Sequence, residues 1–484
     1  MKHAALLGLG LILLAYSAVH FAALPLPYLW SDEALYVNYI SVLGDGSANI
    51  FSPVLWEWHP PLFSLISSFF LFFFEPLDAA RFTSFLFGAA SIILAYLIAR
   101  RIGGNFAGLS AAVLLAFSMN HFLFSSFGLL DIPLAAFVLL VAYSLMYYAD
   151  TGNWKLFAAS LLLALFIKWP AIVLIPFSLL YLLYLDFQRH KGAALKRAVA
   201  GHIIIFAVLF CAAFLFVISF FVNDYSSYAG FDFSAQILRF FGNVVSLVSL
   251  PVFLLFVAGI LAAIRRRTNA DIAVLFALLA FSSLAFFKYS VVRYLLPILP
   301  LSAVLAGAFL SEIRLPNFKF YRWFIILLVL SISFTGVISI AQYISHKPDN
   351  CTAYAEVSSW LLQNIDEDAR IYAYSDREFV FFLKVDGMKK HDGEILMLTG
   401  SRIEFEDSLA SSAGEVIVII DNQKEPFFKD REPGWLYRME SYGDYLSRQG
   451  FTLAKRFEIF GNYGPYIFEV YSLKPPNKIA VSAP

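Results

Sequence analysis

The chain has 484 residues, of which 60% are hydrophobic and only 14% charged, with 52 Phe and 25 Tyr. Soluble domains hold roughly 45–50% apolar residues, so this balance excludes an ordinary soluble enzyme and fits helices packed in lipid. The formal net charge of zero says nothing about partners by itself, because the charges are unevenly spread; nothing in the pattern calls for nucleic acid.

A spanning helix needs about 20 apolar residues. Such runs lie near 4–24, 81–99, 105–119, 131–149, 156–168, 170–186, 199–222, 245–264, 271–287, 291–311 and 323–345. The opening Met1-Lys2-His3 and its apolar run have no small-residue cleavage site and read as an uncleaved first helix. After that run come Leu29-Trp30-Ser31-Asp32-Glu33-Ala34-Leu35-Tyr36 and then Glu57-Trp58-His59-Pro60-Pro61-Leu62. Carboxylates near a bilayer are costly to desolvate, so an acidic pair such as Asp32-Glu33 is kept there for a reason or left in water. The apolar run 59–74 is short and begins at His59-Pro60-Pro61.

The positive-inside rule decides whether 59–74 crosses. If it is a re-entrant or surface helix, the inner loops hold 14 of the 19 Lys and Arg that precede residue 346. If it crossed, the later loops would exchange sides and the rule would fail. The expectation is therefore about 11 transmembrane helices plus a juxtamembrane helix, with the N-terminus cytoplasmic and the C-terminus outside. Only Arg81, Lys168, Arg239, Lys288 and Arg293 remain on the outer face.

Composition changes near residue 346. Residues 346–484 hold 22 of the 35 acids and 16 of the 35 basic residues, which marks a soluble extracytoplasmic domain. Its pattern predicts a helix over 353–365, strands at 370–374 and 415–420, a helix over 435–449, and a hairpin over 451–473 around Gly461-Asn462-Tyr463-Gly464. A small α/β domain fits. The domains are thus 1–345, with a first outer loop at 25–80, and 346–484. Asn350-Cys351-Thr352 matches a glycosylation acceptor, a tripeptide common by chance. Cys211 lies inside an apolar run and Cys351 outside one, so the two cysteines define no disulfide framework.

The outer cations carry chemistry. A scaffold or a transporter has little need of isolated Lys and Arg at external helix ends, whereas a phosphate-binding site does. Acids and cations on one face suggest a carboxylate that takes a proton from a nucleophile and cations that stabilise a departing phosphate. Each residue also has a plainer reading: acids suit helix N-termini, Asp131 before Ile132-Pro133 suits an N-cap, Lys168 and Arg293 suit snorkelling, and Arg81 suits a structural pair.

The order of motifs adds to this. Asp32-Glu33, His59-Pro60-Pro61-Leu62, Arg81 opening a helix that ends in Arg100-Arg101, Leu130-Asp131-Ile132-Pro133, Ile167-Lys168-Trp169-Pro170 and Arg293-Tyr294-Leu295-Leu296-Pro297 together resemble the GT-C glycosyltransferases of the protein O-mannosyltransferase and aminoarabinose transferase type. The resemblance covers about 345 residues and fades in the C-terminal domain. It implies an inverting membrane glycosyltransferase that moves a monosaccharide from a polyprenyl- or dolichyl-phosphate carrier to an acceptor hydroxyl on protein, lipid or glycan at the outer face. Asp32 would be the catalytic carboxylate and Glu33 its partner. Glu57, His59, Asp131, Lys168, Lys288, Arg293 and Tyr294 would bind substrate, with Lys168 and Arg293 on the carrier phosphate. Aminoarabinose transferases place Glu directly before Lys-Pro-Pro; here Trp58 stands there and Glu57 is shifted by one. No cofactor is required by the pattern. A divalent metal on Glu57 or His59 stays open, since eight scattered His show no ligand spacing. A transporter or lipid-linked-sugar flippase is the alternative from another class, disfavoured because no internal repeat is visible. An oligosaccharyltransferase is disfavoured because the chain has no Trp-Trp pair.

Overall fold

The computed structural model describes residues 2–23, 29–56, 59–189, 233–286, 292–313, 321–345, 351–367, 369–373, 379, 383, 395–397, 415–421, 446–461 and 464–473. The chain divides into two compact units. One is helical and comprises 1–24, 48–70 and 81–342. The other comprises 25–47, 71–80 and 343–484.

In the helical unit, α1 (Lys2–Ala23) and the short α3 (Leu62–Phe69) precede α4 (Pro76–Ala116). α4 is two spans in one. Gly104 has φ 81° and ψ −172°, a conformation that L side chains resist and glycine adopts freely. The limbs fold back so tightly that a Cβ on Gly108 would lie 2.8 Å from the Tyr96 carbonyl oxygen. This hairpin coincides with the predicted spans 81–99 and 105–119. There follow α5 (Met119–Ser126), α6 (Asp131–Thr151), α7 (Lys155–Ile167), α8 (Leu174–Arg189), α9 (Phe233–Val248), α10 (Leu250–Arg266), α11 (Asn269–Ser282), α12 (Ile298–Glu312) and α13 (Tyr321–Ser345). Among the described residues, five helices are long and apolar enough to cross a bilayer, and α9 with α10 would make a sixth if the bent pair were one span. Ten of the eleven predicted spans have helix at their place among the described residues; the eleventh, 199–222, lies outside them. α3 is 8 residues long, roughly 12 Å and far short of a bilayer core.

One predicted border moves. The span expected over 245–264 begins at Leu250, because the chain turns by 111° between α9 and α10. α9 falls largely between the predicted spans 199–222 and 245–264, where no helix is predicted, and carries Arg239.

Contacts between helix ends sort the unit into two rims. At one, Arg101 of the α4 hairpin pairs with Asp150 at the end of α6, and Arg266 at the end of α10 pairs with Asp271 of α11 and Glu312 of α12. Thr268 caps α11 there by accepting the Asp271 N–H at 3.1 Å, as expected of an N-cap hydroxyl. At the other rim, the Arg81 guanidinium lies 5.7 Å from the Phe127 ring centroid, and Ser84 Oγ donates to the Leu129 carbonyl at 3.2 Å. α1 is stitched to the core by polar side chains. Tyr16 Oη donates to Ser125 Oγ at 2.8 Å and His20 Nε2 lies 3.1 Å from Ser126 Oγ, while Ser91 Oγ, 2.8 Å from His121 Nε2, ties α4 to α5, all buried. Without water to satisfy them, such groups must find partners in neighbouring helices.

The second unit holds α2 (Ser31–Gly44), α14 (Cys351–Asn364) and a five-stranded sheet of order β2-β1-β3-β5-β4. Here β1 is Arg370–Ala373, β2 Ile395–Met397, β3 Val416–Asp421, β4 Thr452–Gly461 and β5 Gly464–Leu473. β1 pairs in parallel with β2 and β3, and β5 is antiparallel to β3 and β4. The β4–β5 hairpin closes on the Gly461↔Gly464 pair, as its alternating pattern predicts. Its core is Tyr354, Val357 and Leu361 of α14 against Ile371, Ile417, Ile419, Phe468 and Val470. Buried Glu415 accepts hydrogen bonds from the Asp366 N–H at 3.0 Å and Ser472 Oγ at 2.7 Å. The helix predicted over 435–449 lies largely outside the described residues, as does Asn350.

Candidate functional site

The second rim of the helical unit is where helices end early. α7, α11 and α12 have 13, 14 and 15 residues, so they rise roughly 20–22 Å against a hydrocarbon core of about 30 Å. All three pack on α6, whose 21 residues are enough to cross. Where α7 stops and before α12 starts, irregular backbone takes over, and it carries Lys168 and Arg293 of the predicted outer cations. Non-helical backbone at membrane depth is tolerated where protein or a wet cavity satisfies it.

Local sequence explains the stop after α7. Pro170 has no N–H to bond the carbonyl four residues back and its ring would clash with it, so α7 cannot continue through it, whereas proline suits the first turn of the helical segment that follows. Lys168 leaves the helix with φ −157° and ψ 134°, and the 3-10 turn Trp169–Val173 follows. This aims Lys168 back at the start of α6. Its Nζ donates to Asp131 Oδ1 at 2.8 Å. Both side chains are 2% exposed. Nζ also sits 4.9 Å from the Tyr294 ring centroid, and the Arg293 guanidinium lies 5.8 Å from the same ring. Arg293 and Tyr294 belong to the 3-10 turn Val292–Leu295 just before α12. Asp131 is the first residue of α6, not its cap, which is Leu130. A carboxylate there also faces the positive end of the helix dipole.

Asp131, Lys168, Arg293 and Tyr294 are therefore brought together. His59 is half-buried in the bend ahead of Pro60-Pro61. Near it in sequence, Trp56 donates its indole N–H to the Ile50 carbonyl at 2.7 Å, and its ring lies 6.4 Å from that of Trp169 and 5.8 Å from that of Phe166. The loop before α3 is thereby seated on the end of α7. Asp32 and Glu33 open α2 in the second unit. Glu33 is fully buried and accepts a 3.4 Å contact from the Trp30 N–H, the reach-back half of a capping box. Glu57 and Lys288 lie outside the described residues. Among those described, no three His, Cys, Asp or Glu side chains converge to hold a metal ion.

Sequence reasoning missed the pairing of Lys168 with Asp131. It assigned the two to different ligands, and only the adjacency of α6 and α7 joins them.

The architecture is one found among solved structures, and part of the chain matches a family model. A family model described as dolichyl-phosphate-mannose-protein mannosyltransferase matches residues 58–217. The fold is shared with ArnT from Cupriavidus metallidurans bound to undecaprenyl phosphate, with a TM-score of 0.60 at 14% identity, covering 95% of this chain and 97% of that one. The apo form of ArnT gives 0.58 at 15% identity with the same coverage. The archaeal oligosaccharyltransferase AglB from Archaeoglobus fulgidus, in complex with an inhibitory peptide and a dolichol-phosphate, gives 0.58 at 13% identity over 86% of this chain and 69% of that one. A sequence search of curated proteins finds no match.

Proposed function

We propose that this protein is a membrane glycosyltransferase that takes a monosaccharide from a polyprenyl-phosphate carrier and passes it to an acceptor hydroxyl. The observation that carries the reading is the buried Lys168–Asp131 pair with Arg293 and Tyr294, set at the rim where α7, α11 and α12 stop short. Two cations at membrane depth suit a phosphate whose lipid tail stays in the bilayer. The matches to a mannosyltransferase family model and to a structure holding undecaprenyl phosphate support the donor class.

In the proposed reaction the acceptor oxygen attacks the anomeric carbon from the face opposite the phosphate. The new C–O bond forms as the sugar–phosphate bond breaks, with inversion. The acceptor proton passes to the Asp32 carboxylate, and the carrier departs as polyprenyl phosphate. Arg293 and Lys168 neutralise the charge that grows on the leaving phosphate oxygens, the most effective place for electrostatic stabilisation. Before donor arrives, Asp131 occupies Lys168. The incoming phosphate competes for that ammonium, so the pair holds the site in register at little net electrostatic gain. The charge distribution supports the Lys168–Arg293 rim as the extracytoplasmic one, because the opposite rim carries Arg100, Arg101 and Arg265 to Arg267.

Transfer is assayed with wild-type protein and Asp32→Asn in proteoliposomes supplied with labelled polyprenyl-phosphate sugars. We expect Asp32→Asn to lose at least a hundredfold in turnover, on the order of a removed general base. Undiminished turnover would remove Asp32 from the mechanism. Absence of wild-type transfer from every such donor would overturn the glycosyltransferase reading.

A further inference from the structure

α9 has three sides. Val244, Leu247 and Val248 are buried against the bundle. At roughly 100° per residue, Leu238, Phe241 and Val245 fall about a quarter-turn to one side and Arg239, Asn243 and Ser246 about a third of a turn to the other. Leu238 is 72% exposed and Phe241 51%. A surface helix of a soluble protein has two such zones, one for core and one for water. A helix lying along a bilayer has three, facing protein, hydrocarbon and headgroups.

The break after α9 gives the same attitude. α10 is apolar until its terminal arginines, and α9 is turned from it by 111°. With α10 near the bilayer normal, α9 lies within about 20° of the membrane plane. The bend is built, not frayed. Ser249 takes φ 69° and ψ 151°, a strained region for a residue with a Cβ, and Pro251 follows in the first turn of α10. The last carbonyls of a helix have no partner of their own. Here the Asn120 side-chain amide, from α5, donates to those of Ser246 at 3.1 Å and Leu247 at 2.8 Å. α9 also packs on the 3-10 turn Val292–Leu295, so its protein side adjoins the segment that bears Arg293 and Tyr294.

We propose that α9 lies along the membrane surface and that its flank of Leu238, Phe241 and Val245 is the docking surface for the isoprenoid chain of the lipid carrier. This rests on the polyprenyl-phosphate reading above. An isoprenoid chain is hydrocarbon and stays in the acyl region. With its phosphate at Arg293, its first units run over the apolar surface beside that turn on the lipid side, and α9 is packed there. The flank carries no charge, and its methyl-rich and aromatic side chains suit branched isoprene units.

Two measurements test this on the full-length protein in nanodiscs, with Cys211 and Cys351 replaced by Ser. Spin labels are placed singly at 238, 241, 245, 239 and 243. Labels at 238, 241 and 245 are expected to collide with oxygen, and those at 239 and 243 with a water-soluble nickel chelate. Equal nickel accessibility at all five positions overturns the membrane-surface attitude, whatever the enzyme does. Second, a polyprenyl phosphate with a diazirine on its second isoprene unit is photolysed with unlabelled protein. Crosslinks within 238–245 are expected, and crosslinks confined to other helices, or none, overturn the docking surface. If α9 is labelled but no donor supports transfer, the glycosyltransferase reading fails and the docking surface stands. If transfer proceeds but α9 is not labelled, the reverse holds.

Discussion

Replacing Lys168 with Met probes the pair at the centre of the site. Lys168 Nζ and Asp131 Oδ1 are 2.8 Å apart and both side chains are almost fully buried. At an effective dielectric near 20, two unit charges at that distance attract by about 6 kcal/mol. Desolvation takes back several kcal/mol per ion, so the intact pair is close to neutral relative to apolar side chains of the same volume. A single replacement behaves differently. Lys168→Met removes the attraction and leaves Asp131 desolvated, and Asp131→Leu takes the carboxylate from Lys168, with the Tyr294 ring beside it in partial compensation. Each should cost about 3–5 kcal/mol, whereas Asp131→Leu/Lys168→Met should regain most of that loss and cost about 1 kcal/mol, for a coupling of about 5 kcal/mol or more. Reversible unfolding in mixed SDS micelles, run as a double-mutant cycle, gives the number. If each single variant costs less than about 1 kcal/mol and the effects add, the pair is solvated and the argument fails.

Gly307→Ala should destabilise by about 1–3 kcal/mol, because its Cβ would meet the Ala107 carbonyl oxygen at 2.6 Å and the Ala111 nitrogen at 2.8 Å. Gly10→Ala, with nothing within 4 Å, should be neutral or stabilise by up to about 1 kcal/mol; thermal unfolding in detergent ranks the two, and equal shifts would refute the packing. Asn120→Ala should cost about 1–2 kcal/mol by leaving two carbonyls of α9 unmet, and Asn120→Asp more, since its charge opposes the negative end of the helix. Distances between spin labels on α9 and α10 should broaden in both, and an unchanged distribution would show that the bend holds without Asn120. Glu415→Ala should lower stability by about 1–3 kcal/mol by orphaning the Asp366 N–H and the Ser472 hydroxyl. Hydrogen exchange should then quicken across β3 and β5, and exchange that stays slow would place the strength of the sheet elsewhere.

The membrane part was legible because length and hydropathy nearly dictate it. A run such as 323–345 has no other use, and Lys/Arg counts separated the rims without coordinates. The β4–β5 hairpin was legible from alternation around paired glycines. α9 was not, although its signal was present. Ile237, Phe240, Phe241, Val244, Leu247 and Val248 recur at helical spacing, but a search for spans discards a helix interrupted by Arg239, Gly242 and Asn243. At Asp32-Glu33 the plainer reading of acids at a helix N-terminus holds, since both lie in the first turn of α2, although Glu33 is buried. The Asp131–Lys168 contact was beyond reach. Its partners are 37 residues apart, and only the packing of α7 on α6 and the break before Pro170 bring them together.

The division of the chain also orders events in time. The segment 25–47, with Asp32 and Glu33, shares a compact unit with 71–80 and 343–484, so it waits for roughly 300 residues of synthesis before most of that unit exists. At about 5–20 residues per second that is on the order of a minute or less. Through that interval the helical unit can insert and pack while the segment bearing the proposed base has only 71–80 of its own unit to fold against. A nascent chain could therefore pair Asp131 with Lys168 and still be inert, and completing the sheet would be the step that makes it competent. Pulse proteolysis of chains halted before residue 343 should find 25–47 cleavable, and full-length chains should protect it.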